Sequence, residues 1–321
     1  MTDDYFSSTK TNLPKDGSLT SQNIQLISMT VFSFTFFRIL TYLVRWYFFK
    51  SFLFKSRNYF ESTKKSKEDG KYFLHIQHNK KWRISNECIS CFHASLCSFW
   101  LLYLFLKYLE SLEDFLIIYE HMIGMMFAFI FGYIISDTVD LVANEWSIRI
   151  IILLFHHTLV SISTVYPMIT KTFGGVICIG FLMELNSILL HVRSLLNYNG
   201  INKKNIKFKM VAMANMFTFI IFRIIPNIYL AVFCIRIIKK FQWYVVALMF
   251  LVIYGLLITN IILMYRLLTA DGFIKVKKPK YKDGFDIETD ANSNYNSIIL
   301  EEMSFTSDSS TTSTQTKPTQ T

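Results

Sequence analysis

Seven stretches of the chain are nearly free of charge, and polar runs separate them. They lie near residues 24–46, 85–106, 116–136, 148–169, 173–193, 210–234 and 241–267. Each is close to the roughly 20 residues that carry an α-helix across a hydrocarbon core about 30 Å thick. None alternates apolar and polar positions as a barrel strand would. A backbone in lipid must satisfy its own hydrogen bonds, so the pattern predicts helices. The expected fold class is all-α, a polytopic membrane helix bundle of about seven transmembrane helices. A polar leader (1–23), a first helix (24–49) and a basic cytosolic loop (50–77) precede a six-helix domain at 78–268, and a tail at 269–321 follows. The first segment is the least typical because Arg38 lies inside it.

Composition agrees. Of 321 residues, 52% are hydrophobic and only 17% charged, against roughly 25% charged in soluble domains. A net charge of +10 raises the question of nucleic acid, but the basic residues sit in short blocks between apolar runs, so no nucleic-acid partner is expected. If all seven segments cross, one side collects ten, one, five and six Lys and Arg (50–83, 137–149, 193–209, 266–282), 22 in all. The other side holds two, one, one and three (before 24, 107–115, 167–173, 234–242), 7 in all. Positive charge marks the cytosolic side, so the C-terminus is expected in the cytosol. Dropping one internal span would scramble the split. No cleavable signal peptide is expected, because the first apolar run is too long. The tail, ending "SDSSTTSTQTKPTQT", has no apolar stripe and is expected to be disordered. In the third segment Gly124, Ala128, Gly132 and Ser136 recur every four residues, a face suited to close helix packing within the chain. "CISC" at 88–91 has neither a second pair nor a βαβ context, so the five cysteines are expected to be buried structural thiols.

The chemistry lies inside the apolar segments. "IIILLFHHTLVSIS" places His156 and His157 about 12–14 Å into the fourth segment. His93, Glu184 and Arg223 reach similar depth in the second, fifth and sixth. A titratable side chain at mid-bilayer costs about 2.5–3.5 kcal/mol on insertion scales, so these groups are expected to face one another or a cavity. His157, Ser161 and Thr164 share a helix face, as do Glu184 and His191, with Asn186 turned away. Arg223 is expected to pair with Glu184 or with a lipid carboxylate. Asp137 and Asp140, three apart at the end of the third segment, either flank a cavity mouth or cap a helix end in water. Imidazole acts as a general base, as a nucleophile towards acyl groups or as a metal ligand. No His-X3-His spacing occurs, so no metal or other cofactor is expected. A buried network that fixes helix packing and a lipid-binding or acyl-chemistry site both fit the cluster.

Five stretches, in order, resemble the TLC-domain family, which includes ceramide synthases and translocation-associated membrane proteins. They are "KKWRISNECISCFHASLC" (Trp82, Ser90, His93, Ala94), "GYIISDTVDLV" (Gly132, Tyr133, Ser136, Asp137), "FHHTLVSIS", "FLMELNSILLHVRSLL" (Glu184, Ser187, Arg193) and "FRIIPNIYL" (Arg223 to Pro226). The chain departs from the ceramide synthases. The 30 residues after His157 contain no Asp, where those enzymes carry His-Asp and a further Asp, and a homeobox-like domain is absent. The resemblance is therefore to the shorter branch of TLC domain-containing proteins. It implies a role in lipid or sphingolipid homeostasis and membrane composition, membrane lipids as partners, and the endoplasmic reticulum. His156 and His157 would be the catalytic pair if the chain is an enzyme. His93, Asp137, Asp140, Ser161, Glu184, His191 and Arg223 would line or support a lipid cavity. An acyl-CoA-dependent N-acyltransferase, with acyl-CoA as substrate, is the alternative. A seven-helix receptor shares the span count but would carry Asp-Arg-Tyr and Asn-Pro-X-X-Tyr signatures, which this chain lacks.

Overall fold

Uninterrupted apolar runs become continuous helices. The computed structural model describes residues 16–49, 78–108, 119–144, 148–237, 239, 242–271 and 273. These lie in a unit Met1–Ile274, and a second unit, Lys275–Thr321, lies outside the described residues. So do the basic loop at 50–77 and the tail beyond 273.

The helices are α1 (Asp16–Phe49), α2 (His78–Lys107), α3 (His121–Asn144), α4 (Ile148–Thr170), α5 (Gly174–Gly180), α6 (Met183–Tyr198), α7 (Ile206–Phe219), α8 (Ile225–Ile237) and α9 (Trp243–Ala270), with a π-helical turn, Ile220–Ile224, between α7 and α8. Among the described residues, seven segments are long and apolar enough to cross a membrane. They are Ser21–Phe49, Lys81–Lys107, His121–Asn144, Ile150–Thr170, Gly174–Tyr198, Ile206–Arg236 and Trp243–Ala270. The chain is thus a seven-helix membrane bundle. Two differences from expectation stand out. Residues 16–23 extend the first helix rather than forming a leader. The third span runs to Asn144, so Asp137 and Asp140 lie within the helix, not at its end in water, and both are buried.

The stepped small residues of α3 receive α1. Leu26 meets Gly124, Ser33 Oγ donates to the Phe129 carbonyl at 2.6 Å, Arg38 reaches the Ser136 carbonyl and Arg45 reaches Asp140, so the two helices run in the same direction. With no hydrophobic drive between helices in lipid, such close packing supplies the association. Phe37 of α1 then fills the centre against Phe129, Tyr133 and His93.

Two spans are broken. The fifth kinks between α5 and α6 at Phe181–Leu182. The sixth contains the π turn, and Pro226 explains it. Proline has no N–H and its ring crowds the carbonyl four residues back, at Phe222 inside that turn.

The connection from α4 to α5 is strained. Lys171 (φ 55°) and Phe173 (φ 61°) are in the left-handed region without being glycine. Among the described residues the buried Lys171 ammonium has no hydrogen-bond partner, and it lies 5.0 Å over the Tyr119 ring. Burial lowers the Lys171 pKa from its ordinary 10.5 and pushes the Tyr119 phenol up to about 12. Lys171→Gly is expected to stabilise the fold by about 1 kcal/mol, from relief of backbone strain less the entropy of glycine. Because the folded-state pKa is depressed, burying the charged amine also opposes folding, fully below that pKa and progressively less as pH rises from it to the ordinary 10.5. The advantage of the variant, measured as a thermal midpoint in detergent, should shrink with rising alkalinity.

Candidate functional site

Among the described residues the predicted site residues do not form one cluster: two separate groups stand beside the Asp140 network that holds α1. The first lies in the half of the bundle nearer Asn144 and Ala270, between α2, α3, α4 and α6. His191 Nδ1 is 2.7 Å from Glu87 Oε2. His157 Nε2 is 3.5 Å from Asp137 Oδ2, and its Nδ1 is 3.2 Å from Thr138 Oγ1. Alongside, His93 stacks on Tyr133 (centroids 3.6 Å, planes 14° apart), with Cys97 Sγ 3.2 Å from its Nε2, while the Tyr133 hydroxyl donates to Ser90 Oγ at 2.9 Å. Carboxylate–imidazole pairs of this kind fix ring orientation and tautomer, and so can hold or pass a proton.

The second group surrounds Arg223, which the π turn carries inward to 7% exposure. Its Nε donates to Asn186 Oδ1 at 2.7 Å, Nη1 to Asn260 Oδ1 at 3.1 Å and Nη2 to Ser187 Oγ at 2.8 Å. Asn186 Nδ2 in turn donates to the Asn215 carbonyl at 3.0 Å and to Thr218 Oγ1 at 3.0 Å. Among the described residues, no carboxylate lies within ion-pair distance of Arg223. Glu184 acts on Arg223 only at longer range, and the Ser187 hydroxyl donates to the Met183 carbonyl at 3.1 Å.

Several expectations are corrected. Arg223 pairs with amides and a hydroxyl, not with Glu184, because the turn of α6 that faces it presents Asn186 and Ser187. His191 is satisfied by Glu87 of α2, so it belongs to the first group. Asp140 takes no part in either. It accepts from Arg45 Nη2 at 2.5 Å and Trp82 Nε1 at 2.6 Å, with Arg38 3.5 Å away, and so ties α1 to α2 and α3. That is also why Arg38 and Arg45 are tolerated in the first span. The Thr164 hydroxyl donates to the Val160 and Ser161 carbonyls of its own helix, and among the described residues the side-chain partners of His157 are Asp137 and Thr138 rather than Ser161 or Thr164. His156 is partly exposed, its ring 6.1 Å from that of His157, within electrostatic range of Arg223. Of the five cysteines, all free, Cys97, Cys178 and Cys234 are buried, while Cys88 and Cys91 are only half-buried.

A cleft of about 110 Å³ lies between α4, α5, α8 and α9. Its walls are mostly apolar, including Val160, Ile177, Leu230, Leu248, Val252 and Leu256, and Arg223, Asn227 and Asn260 supply its polar edge. It follows α9 from Val245 to Asn260, a run of about 22 Å at 1.5 Å per residue. Neither histidine of the pair lines it, although Val160 and Ser163, one to two turns further along α4, do. Asn215, Asn227 and Asn260, together with Glu87, escaped the reading for titratable groups at mid-depth, and the sequence places Asn186 only as turned away from the Glu184 face. The four amides carry no charge, and Glu87 lies close to a helix end in sequence. Asparagines inside apolar runs are the signal that would have found the Arg223 group.

Seven spans that close around imidazoles, carboxylates and one deeply placed arginine define a polytopic integral membrane protein. The sequence model of the TLC domain matches residues 83–269, more than half of the chain, and the chain belongs to that family, whose members are membrane proteins linked to lipid metabolism. It is similar to TLC domain-containing protein 2 of Danio rerio, 25% identical over 202 residues that cover 62% of this chain and 80% of the relative. It is also similar to TLC domain-containing protein 1 of Gallus gallus, 28% identical over 199 residues, 61% of this chain and 77% of the relative.

Proposed function

We propose that the protein acts in lipid homeostasis or membrane composition by holding a lipid chain in the cleft between α4, α5, α8 and α9. The observation that carries this reading is the cleft itself, mostly apolar along its walls, with Ser163 and Tyr166 on α4 and a convergent polar edge of Arg223, Asn227 and Asn260. An aliphatic chain satisfies such walls, and convergent polar groups fix one end of a ligand. Glu184 and His156, both within electrostatic range of Arg223, stand as the acid–base groups nearest that end, and Asp137–His157 and Glu87–His191 belong to the separate group. The 22 to 7 distribution of Lys and Arg supports a cytosolic side at Asn144, Tyr198 and Ala270, and the family resemblance supports the endoplasmic reticulum.

Val252→Trp puts an indole into the middle of the cleft from a position that is only half-buried. The variant should express and insert normally, yet purify with at least about tenfold less copurifying lipid acyl chain by mass spectrometry, since a filled pocket forfeits most of the ligand's apolar burial. Cells that carry it as their sole copy should show an altered lipid profile. Unchanged copurifying lipid at normal protein levels would count against the cleft as the functional site.

A further inference from the structure

Resting on that reading, two observations narrow the class of ligand. The first is Arg223. A guanidinium has five N–H donors, and three bonds, one from each nitrogen, go to Asn186, Asn260 and Ser187. One donor each on Nη1 and Nη2 therefore remains, on a side chain that borders the cleft. All three partners are neutral. A buried cation with spare donors, and no carboxylate at ion-pair distance among the described residues, favours an anion beside it.

The second is Asn227, one turn beyond Arg223 on the same wall. It borders the cleft, is 7% exposed, and its Oδ1 is buried with no hydrogen-bond partner among the described residues. A buried amide without partners costs about 1–3 kcal/mol. A ligand whose polar end reaches this position would remove that cost, and the amide can turn to offer either its N–H or its oxygen. The cleft wall along α9 from Val252 towards Val245 is apolar throughout.

We propose that the cleft takes a free long-chain fatty acid, its carboxylate held by Arg223 and Asn227 and its tail laid along α9. One planar anion matches one planar cation, and the pairing can be bidentate. A phosphomonoester would bring nearly two negative charges to a site with one nearby cation and Glu184 in electrostatic range. An ester, alcohol or amide would leave Arg223 without an ion-pair partner, its nearest compensation being the Phe219 ring at 5.4 Å and the longer-range Glu184.

The test uses full-length protein in detergent micelles with tritiated palmitate, displaced by unlabelled palmitate, methyl palmitate or hexadecanol. Palmitate should displace the label at least about tenfold better than either neutral analogue, the scale of one charge-assisted hydrogen bond. Asn227→Leu replaces an unsatisfied amide with an apolar group of similar size, so it should fold at least as well as the parent while binding palmitate about tenfold more weakly. Val252→Trp should abolish capture of the label. If methyl palmitate and hexadecanol compete as well as palmitate, or if Asn227→Leu keeps full affinity, the carboxylate assignment falls; loss of capture in Val252→Trp would still uphold the lipid cleft. Undiminished capture by Val252→Trp overturns both readings.

Discussion

Asp140→Leu should cost about 3–5 kcal/mol, the scale for removing one partner of a buried ion pair. Asp140 is 4% exposed and accepts from two donors on two helices, the Arg45 guanidinium at 2.5 Å and the Trp82 indole at 2.6 Å, with Arg38 at 3.5 Å from its other oxygen. Arg45 is itself only 3% exposed. Removing the anion leaves two guanidinium groups of one helix next to each other at the edge of the bundle, and the indole N–H without its acceptor. Leucine returns shape but no charge. Asp140→Asn, which keeps an acceptor for Trp82 and Arg45, should lose roughly half as much. Thermal unfolding in detergent, followed by loss of the monodisperse elution peak, ranks the three proteins. Equal midpoints for the parent and Asp140→Leu would show that this ion pair does not anchor α1.

Gly132→Val is the second large loss. A Cβ at this position would fall on the Thr30 carbonyl oxygen of α1 and lie 2.7 Å from Ser33 Cβ and 3.0 Å from the Phe34 nitrogen. Two of those three atoms are backbone and cannot swing aside. Helix α1 must move outward, which breaks the Ser33 bond to Phe129 and opens the Phe37 packing. Overpacking costs typically about 1–3 kcal/mol, and a backbone obstacle puts this case at the upper end, about 3 kcal/mol. Gly124→Ala provides the contrast. Its Cβ meets chiefly the hydroxyl end of Tyr119 and a Leu26 methyl, and side-chain ends can shift. The valine variant should give poor yield and protease-sensitive α1, while the alanine variant stays near the parent. Matching protease protection in the valine and parent proteins would rule out this interface as the seam that small residues create.

The four-residue step of small residues in α3 was legible because it is a local pattern on one helix, and its role followed from general packing physics. That His93, His157, Glu184 and Arg223 lie well inside long apolar spans was legible for the same reason: position in a segment is position along a helix. Partner choice was not. Counting residues on an ideal helix turns Glu184 and His191 to one side and suggests Glu184 for Arg223. An ideal helix contains neither the break at Phe181–Leu182 nor the π turn at Ile220–Ile224 that holds Arg223, and there Arg223 meets Asn186 and Ser187 instead. Asp137 and Asp140 show a different limit. Charge near the end of an apolar run reads as a helix terminus in water, yet arginines from α1 and an indole from α2 make the interior cheaper for Asp140 than the interface.

Transfer of each segment from water to lipid depends on that segment alone. The number of crossings, their alternation and the presence of expensive side chains within them were therefore fixed by the residue order. Which of those side chains meet depends on how each helix is rotated and where it breaks, and that is set jointly by neighbours far away in the chain. Only the folded bundle could separate the carboxylate–imidazole pairs from the amide-bound arginine and place the cleft beside the latter.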